Sequence, residues 1–225
     1  VIRGLLDSAD VRSTAGVLRA LGAAVPEVGS GSFTVRGVGR RGLRASGADL
    51  DCGNSGTTAR LMCGVLAASP FASRLTGDAS LSARPMGRVA RPLEAMGARF
   101  DSDGRDGLPL VVHGGALRGV SWFSEFASAQ VKSAILLAGL VADVPVEVHE
   151  PVASRDHTER MLRARGVAVR IDGLAVTLAP AARLEALDVD VPGDPSSAAF
   201  FAGLAAIADH GTLALEHVGL NPTRV

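Results

Sequence analysis

Helix-ending glycines recur at Gly22, Gly97 and Gly166, 75 and 69 residues apart, and helix starts built of small residues recur at Gly56, Ser128 and Ser196, 72 and 68 apart. Two different kinds of marker sharing a period of about 70 residues restrict the chain to a repeat architecture. Read with helical and strand periodicity, each period runs strand–helix–strand–helix–strand–strand. Two copies are complete. A half copy without its first strand and helix begins the chain and another half ends it, so the sequence reads as part of a larger protein.

In chain order, residues 1–6 read as a strand, and Asp7, Ser8 and Asp10 offer N-cap chemistry for a helix over Val11–Leu21 closed by Gly22. Strand-like pieces follow at Ala23–Val28 and Ser32–Val35. The first complete copy holds a strand–turn–helix at Leu50–Ala68, a strand near Ser73–Thr76 and a helix from Pro85 to Met96. Pro92 inside that helix predicts a kink or a shorter helix. The second copy places strands at Val120–Phe123, Val144–His149, Val167–Ile171 and Ala175–Leu178, with helices from Ser128 through Leu140 and over Asp156–Arg165. The end reads as strand Leu187–Val191, helix Ala198–Ala208 and strand Thr212–Val218.

The chemistry gathers at helix starts. Leu50-Asp51-Cys52-Gly53-Asn54-Ser55-Gly56-Thr57-Thr58-Ala59-Arg60 is a short strand, a turn of small polar residues and a helix beginning. Glycine there lets a ligand approach the backbone, and the first N–H groups of the helix point outward, free for an anion. An ordinary strand–turn–helix has the same composition. Second loops carry arginine: Asp78-Ala79-Ser80-Leu81-Ser82-Ala83-Arg84-Pro85, and Ser154-Arg155-Asp156-His157-Thr158. Either arginine alone reads as a surface ion pair. Their repetition beside helix starts predicts that the copies converge to bind phosphate or carboxylate. Lys132 reads as facing that anion or solvent, His157 as a polar helix-start residue, and Asp49, Asp51 and Asp78 as turn formers or acids.

Composition narrows the partners. Lys+Arg and Asp+Glu both number 23, and there is no Tyr and one Trp, so neither a nucleic-acid-binding surface nor base stacking is indicated. The cluster Arg36, Arg40, Arg41 and Arg44 reads as a solvated face. Apolar runs such as Ala134–Ala142 are too short to span a bilayer, and a cytoplasmic protein is expected. Cys52 and Cys63 fit no metal or disulfide pattern and read as packing residues, and the histidines have no ligand spacing, so no metal is expected.

Taken together, Asp51–Thr57, Gly77-Asp78-Ala79-Ser80-Leu81 with Arg84-Pro85-Met86, Ser128-Ala129-Gln130-Val131-Lys132-Ser133, Ser154-Arg155-Asp156-His157-Thr158-Glu159-Arg160, Val191-Pro192-Gly193-Asp194-Pro195-Ser196-Ser197 and Asn221-Pro222-Thr223-Arg224 resemble the 5-enolpyruvylshikimate-3-phosphate synthases, in their class II form. The resemblance runs in order along the whole chain. It implies the α/β enolpyruvyl transferase fold, in which each lobe is an inside-out α/β barrel of βαβαββ units. It further implies transfer of the enolpyruvyl group of phosphoenolpyruvate to shikimate 3-phosphate, releasing phosphate, on the route to aromatic amino acids, with no cofactor and no metal. By motif, Ser128, Ala129, Gln130, Ser154 and Arg155 would hold shikimate 3-phosphate, and Gly56, Arg84 and Gln130 would line the phosphoenolpyruvate pocket. Gly56 aligns with the glycine that admits the inhibitor glyphosate.

The departure is length. The family's early Lys-Ser…Arg motif is expected before Val1, and its second lobe, with the acid–base residues, after Val225. Residues 1–191 thus read as one lobe with an incomplete first repeat, and 192–225 as the crossing into the second. Such a fragment is expected to be inactive alone, and the complete enzyme to be a monomer. The UDP-N-acetylglucosamine enolpyruvyl transferases share the fold but usually carry a cysteine where this chain has Ala79. A non-catalytic substrate-binding fragment is the third reading.

Overall fold

The computed structural model describes residues 1–29, 31–181 and 183–223. Two sheets carry the repeat. The first copy runs β3 (Leu50–Asp51), α2 (Gly56–Ala67), β4 (Ala72–Thr76), a short α3 (Ala79–Ser82), α4 (Gly87–Ala95), β5 (Arg99–Asp101) and β6 (Leu110–His113). The second runs β7 (Val120–Phe123), α5 (Ala129–Ala142), β8 (Val146–His149), α6 (His157–Ala164), β9 (Val169–Asp172) and β10 (Ala175–Leu178). Their strand orders are β3-β4-β6-β5 and β7-β8-β10-β9, in each case one parallel pair followed by two antiparallel pairs. The period seen in the sequence is therefore a repeat of topology.

A third sheet joins the ends of the chain. β1 (Ile2–Arg3) precedes α1 (Ala9–Ala20) and β2 (Ser32–Phe33), and β11 (Val189–Asp190) precedes α7 (Pro195–Ile207). β1 pairs parallel with β11 and antiparallel with β2, so the two half copies meet edge to edge. α7 nevertheless differs from α2 and α5, because none of its residues is buried.

Helix composition sorts the layers. α2 and α5 are apolar nearly all round and lie side by side in the core, while α4 and α6 bury one face and cover the sheets. Gly64 permits the close approach, since a Cβ there would stand 2.1 Å from the Ala134 carbonyl oxygen. One hydrophobic core runs through both copies and includes Leu66, Leu75, Leu93, Ile135, Leu136 and Leu178. Cys52 and Cys63 are fully buried, free thiols inside it. Among the described residues, no helix is long and apolar enough to cross a membrane.

Several expectations need correction. Thr212–Val218 is not a strand: its residues up to His217 have no ladder partner, and only Val218 forms an isolated bridge, to Gly193. Ala23–Val28 likewise contributes only the Ala24–Arg36 bridge, and the strand over 1–6 shrinks to Ile2–Arg3 because Gly4 turns at φ 69° against the Val191 carbonyl. Pro85 lies outside α4, whose first N–H groups are capped from afar: Met86 N and Gly87 N donate to Asp106 Oδ1 at 2.8 and 2.6 Å. Pro92 sits inside that helix, buried, and the helix continues past it to Ala95. Arg40 is not purely solvated, as it reaches Asp143 at 2.6 Å beyond the end of α5.

Candidate functional site

The parallel pairs β3–β4 and β7–β8 deliver their connecting loops to one edge, at the C-terminal ends of the strands, where open α/β sheets bind ligands. There, Ser55 caps α2 through the Thr58 N–H and Ser128 caps α5 through the Val131 N–H. The two helix starts meet through side chains. Arg60 donates to Gln130 Oε1 at 2.5 Å, and Gln130 Nε2 donates to Thr57 Oγ1 at 2.8 Å. These two bonds fix which way the Gln130 amide points, leaving one Nε2 hydrogen for a ligand.

The second loop closes on the same point. Asp78 caps α3 through the Leu81 N–H at 2.7 Å and accepts from Asn54 Nδ2 at 2.6 Å. Asn54 Oδ1 in turn accepts from Arg84 at 2.6 Å, which aims that guanidinium at Gly56. The bond from Asn54, followed by the Leu81 N–H, holds the Asp78 carboxyl below its usual range. Asp51 also acts as a turn former, accepting from the Gly53 N–H at 2.8 Å, and Asp49 pairs with Arg74. Gly53 takes the left-handed turn, at φ 55°, whereas Gly56 has an ordinary helical start.

Positive charge is in excess around Gly56. The Arg60 guanidinium is held below its usual value, first by burial and then by the like charges of Arg88 and Arg84. An anion placed between these groups would relieve that repulsion and would find donors on both helix starts. A cavity of about 200 Å³ opens beside this edge, lined by Arg88, Arg91, Trp122, Phe126 and Ser128 among others.

The residues expected from the sequence divide in two. Gly56, Arg84, Ser128, Ala129 and Gln130 come together around the α2 and α5 starts. Ser154 and Arg155 lie on the loop between β8 and α6: Ser154 Oγ is buried without a hydrogen-bond partner, and Arg155 is exposed with neither hydrogen bond nor ion pair among the described residues. His157 is the exposed first residue of α6. Lys132 contradicts its expectation of facing anion or solvent, because α5 has no solvent face there: the side chain is 3% exposed and lies 2.6 Å from Glu150 and 2.8 Å from Glu159. Asn54, Arg60, Glu150 and Glu159 were absent from the sequence-derived site. Of these, Arg60 alone carried a local signal, as a fixed positive charge one turn into the helix that starts at Gly56.

The structure also joins two motifs far apart in sequence. Asp156 Oδ1 accepts from Asn221 Nδ2 at 2.8 Å and from Thr223 Oγ1 at 3.0 Å, and its Oδ2 accepts from Arg160 at 2.8 Å. Arg224, the last residue of that Asn-Pro-Thr-Arg motif, lies outside the described residues.

Comparison with known proteins decides the family. The family model described as EPSP synthase (3-phosphoshikimate 1-carboxyvinyltransferase) matches residues 1–225. The chain belongs to the EPSP synthase family. A 3-phosphoshikimate 1-carboxyvinyltransferase of Geobacillus kaustophilus is 52% identical over all of this chain and 52% of its own length, and one of Alkalilimnicola ehrlichii is 51% identical over 99% of the chain and 50% of its own. The solved EPSP synthase of Acinetobacter baumannii superposes with a TM-score of 0.90 at 45% identity, over 98% of this chain and 50% of that one. The chain thus spans about half the length of the curated relatives it matches. The enolpyruvyl transferase fold expected from the resemblance is the fold of these EPSP synthase neighbours.

Proposed function

We propose that this chain supplies the shikimate 3-phosphate-binding lobe of an enolpyruvyl transferase that joins phosphoenolpyruvate to the 5-hydroxyl of that substrate and releases phosphate. The observation that carries this is the meeting of two helix starts, joined by Gln130 through Arg60 and Thr57, where the Arg84 and Arg60 guanidiniums stand against Gly56 and Arg88 adds its like charge beside Arg60. Ser128, Ala129, Gln130, Ser154 and Arg155 hold shikimate 3-phosphate. Gly56, Arg84 and Gln130 line the phosphoenolpyruvate pocket, so Gln130 sits between the reacting molecules and orients both.

In this reading Arg84 neutralises charge on phosphoenolpyruvate, and the Asn54–Asp78 pair keeps its guanidinium in place. Proton transfer belongs to groups outside this chain, so these residues position and do not act as acid or base. Residues 1–191 form the lobe and 192–225 lead into a second one, a division supported by the wholly exposed apolar face of α7, where Phe200 and Ile207 are 83% and 81% exposed. The two free thiols fit a reducing cytoplasmic setting, and the complete enzyme acts as a monomer.

Calorimetric titration with shikimate 3-phosphate tests the reading. The chain should bind it weakly, and in a polypeptide of the relatives' full length carrying this sequence, Arg155→Ala should cost about 1.5–3 kcal/mol of affinity, as for a charge-assisted hydrogen bond. The chain alone should release no phosphate from the two substrates. Unchanged affinity in Arg155→Ala removes that residue from the site, and turnover by the chain alone that Arg84→Ala abolishes overturns the division of labour.

A further inference from the structure

The substrate residues proposed above stand on two separate elements: Ser128, Ala129 and Gln130 at the start of α5, Ser154 and Arg155 on the loop between β8 and α6. One buried ammonium joins them. Lys132 Nζ, on the first turn of α5, donates to Glu150 Oε2 at 2.6 Å where β8 ends, and lies 2.8 Å from Glu159 Oε1 on α6, within ion-pair distance but outside hydrogen-bond angles. Lys132, Glu150 and Glu159 are 2%, 6% and 0% exposed. Glu150 is anchored on its far side, since its N–H donates to the Leu174 carbonyl at 3.0 Å.

Three ionisable groups in a core are costly to bury, and apolar residues of similar size would hold α5 against α6 at least as well. That contact has a tie of its own, the Ser133–Thr158 hydroxyl pair at 2.6 Å. The charged set therefore does something packing does not require. Its geometry shows where it acts: the Glu150 Oε2 that receives the ammonium also accepts the Ser154 N–H, at 3.4 Å. Next to it, Glu150 Oε1 and Ser154 Oγ are buried without hydrogen-bond partners, so between the bonds of Glu150 to Leu174 and of Asp156 to segment 221–223 the middle of the loop is held by this one carboxylate oxygen, which leaves the serine hydroxyl uncommitted.

We infer that Lys132 is a positioning residue for the anion site, and that its ammonium, shared between Glu150 and Glu159, sets the distance from the α5 start to the loop bearing Ser154 and Arg155. This rests on the substrate reading above for its consequence, though not for its geometry. Removing the ammonium frees Glu150, releases the Ser154 N–H and lets the loop between residues 150 and 156 drift while the sheet stays intact.

The test uses two variants of the chain. Lys132→Met strands two buried carboxylates, whereas Lys132→Met with Glu150→Gln and Glu159→Gln removes all charge at nearly constant volume and keeps folding in hand. Amide hydrogen exchange, thermal unfolding and shikimate 3-phosphate titration are read on each. In the triple variant, unfolding should stay cooperative, core amides of β8 and β10 should keep their protection, and the amides of residues 152–155, above all Ser154, should exchange at least tenfold faster. Shikimate 3-phosphate should bind at least tenfold more weakly. Unchanged loop exchange, or a rise shared equally by β8 and β10, overturns the inference, because Lys132 would then be support for the whole sheet or none at all. If the unaltered chain fails to bind shikimate 3-phosphate, the substrate reading falls and the loop exchange alone decides this one.

Discussion

Gly56→Ala separates room for a ligand from backbone freedom. Gly56 is the first residue of α2 and its φ is not in the left-handed region, so alanine adopts the backbone without strain. An added Cβ would lie 3.2 Å from Arg84 Nη1 and 3.7 Å from both Arg60 Nη1 and Leu81 Cδ1. Only the first is too close, and it is the end of a flexible side chain. In the proposed pocket, a retreat of roughly 0.3 Å by that guanidinium would weaken a charge-assisted bond to phosphoenolpyruvate by about 0.5–1 kcal/mol, a factor of about 2–5 in KM. Glyphosate is longer and, in the same proposed pocket, would meet the methyl itself, an overpacking of about 1–3 kcal/mol on top, so its inhibition constant should rise at least about tenfold. Stability should hold or improve by up to about 1 kcal/mol, because alanine is the better helix former. The assay is steady-state inhibition in a full-length polypeptide carrying this sequence, with thermal unfolding of the chain alongside. Equal factors for substrate and inhibitor would sink the argument. So would a fall of more than about 4 °C in Tm, which corresponds to at least about 1 kcal/mol in a domain this size and would mean that the glycine serves the turn.

Three further outcomes follow from the same geometry. Gly64→Ala drives a Cβ to 2.1 Å from a backbone oxygen of α5, which cannot yield as a side chain can, so it should destabilise the chain by about 1–3 kcal/mol or more in thermal unfolding, and an unchanged Tm would show that the two helices are not locked together. Burial raises the Cys52 thiol to about 12 and Cys63 higher still, so neither should react with a disulfide reagent at pH 8 in the native state, and fosfomycin should not modify the Gly77–Arg84 loop, where Ala79 offers no thiol. Because those folded values lie above the ordinary thiol value of 9.0, their contribution to stability is full below pH 9.0 and is lost as pH climbs through 12; a Tm that does not fall over that window would count against the burial. Burial pushes the Asp156 carboxyl up, but hydrogen bonds from Asn221, Arg160 and Thr223 outweigh it and leave the group below its ordinary value of 3.8, so its tie to segment 221–223 is intact above pH 3.8 and lost as pH falls below; proteolytic nicking of residues 209–223 should rise on acidification and in Asp156→Asn at neutral pH, and equal cleavage in all three conditions would dismiss the tie.

Local chemistry determined a good deal of this protein from the sequence alone. The N-cap chemistry of Asp7, Ser8 and Asp10, from which Ser8 caps α1, and the glycine helix ends Gly22, Gly97 and Gly166 depend on residues within a turn or two of each other, and the period of about 70 residues is their repetition; the structure has the glycine ends where they were read. The convergence of the α2 and α5 starts followed from repetition, since equivalent units packed equivalently must bring equivalent loops to one edge. Strand-like patterning failed at Thr212–Val218, because a strand exists only where a neighbouring backbone pairs along its length, and here the pairing stops at the single bridge between Gly193 and Val218. Tertiary structure alone decided which long-range partners complete the site. Asp106 capping α4 from 20 residues away, Arg60 orienting the Gln130 amide across 70, and the ammonium of Lys132 between Glu150 and Glu159 join groups whose meeting depends on how helices pack. A lysine on a helix looks the same in sequence whether it faces water or the core. Here the apolar girth of α5 drew Lys132 inside, and burial made two distant glutamates its obligatory partners.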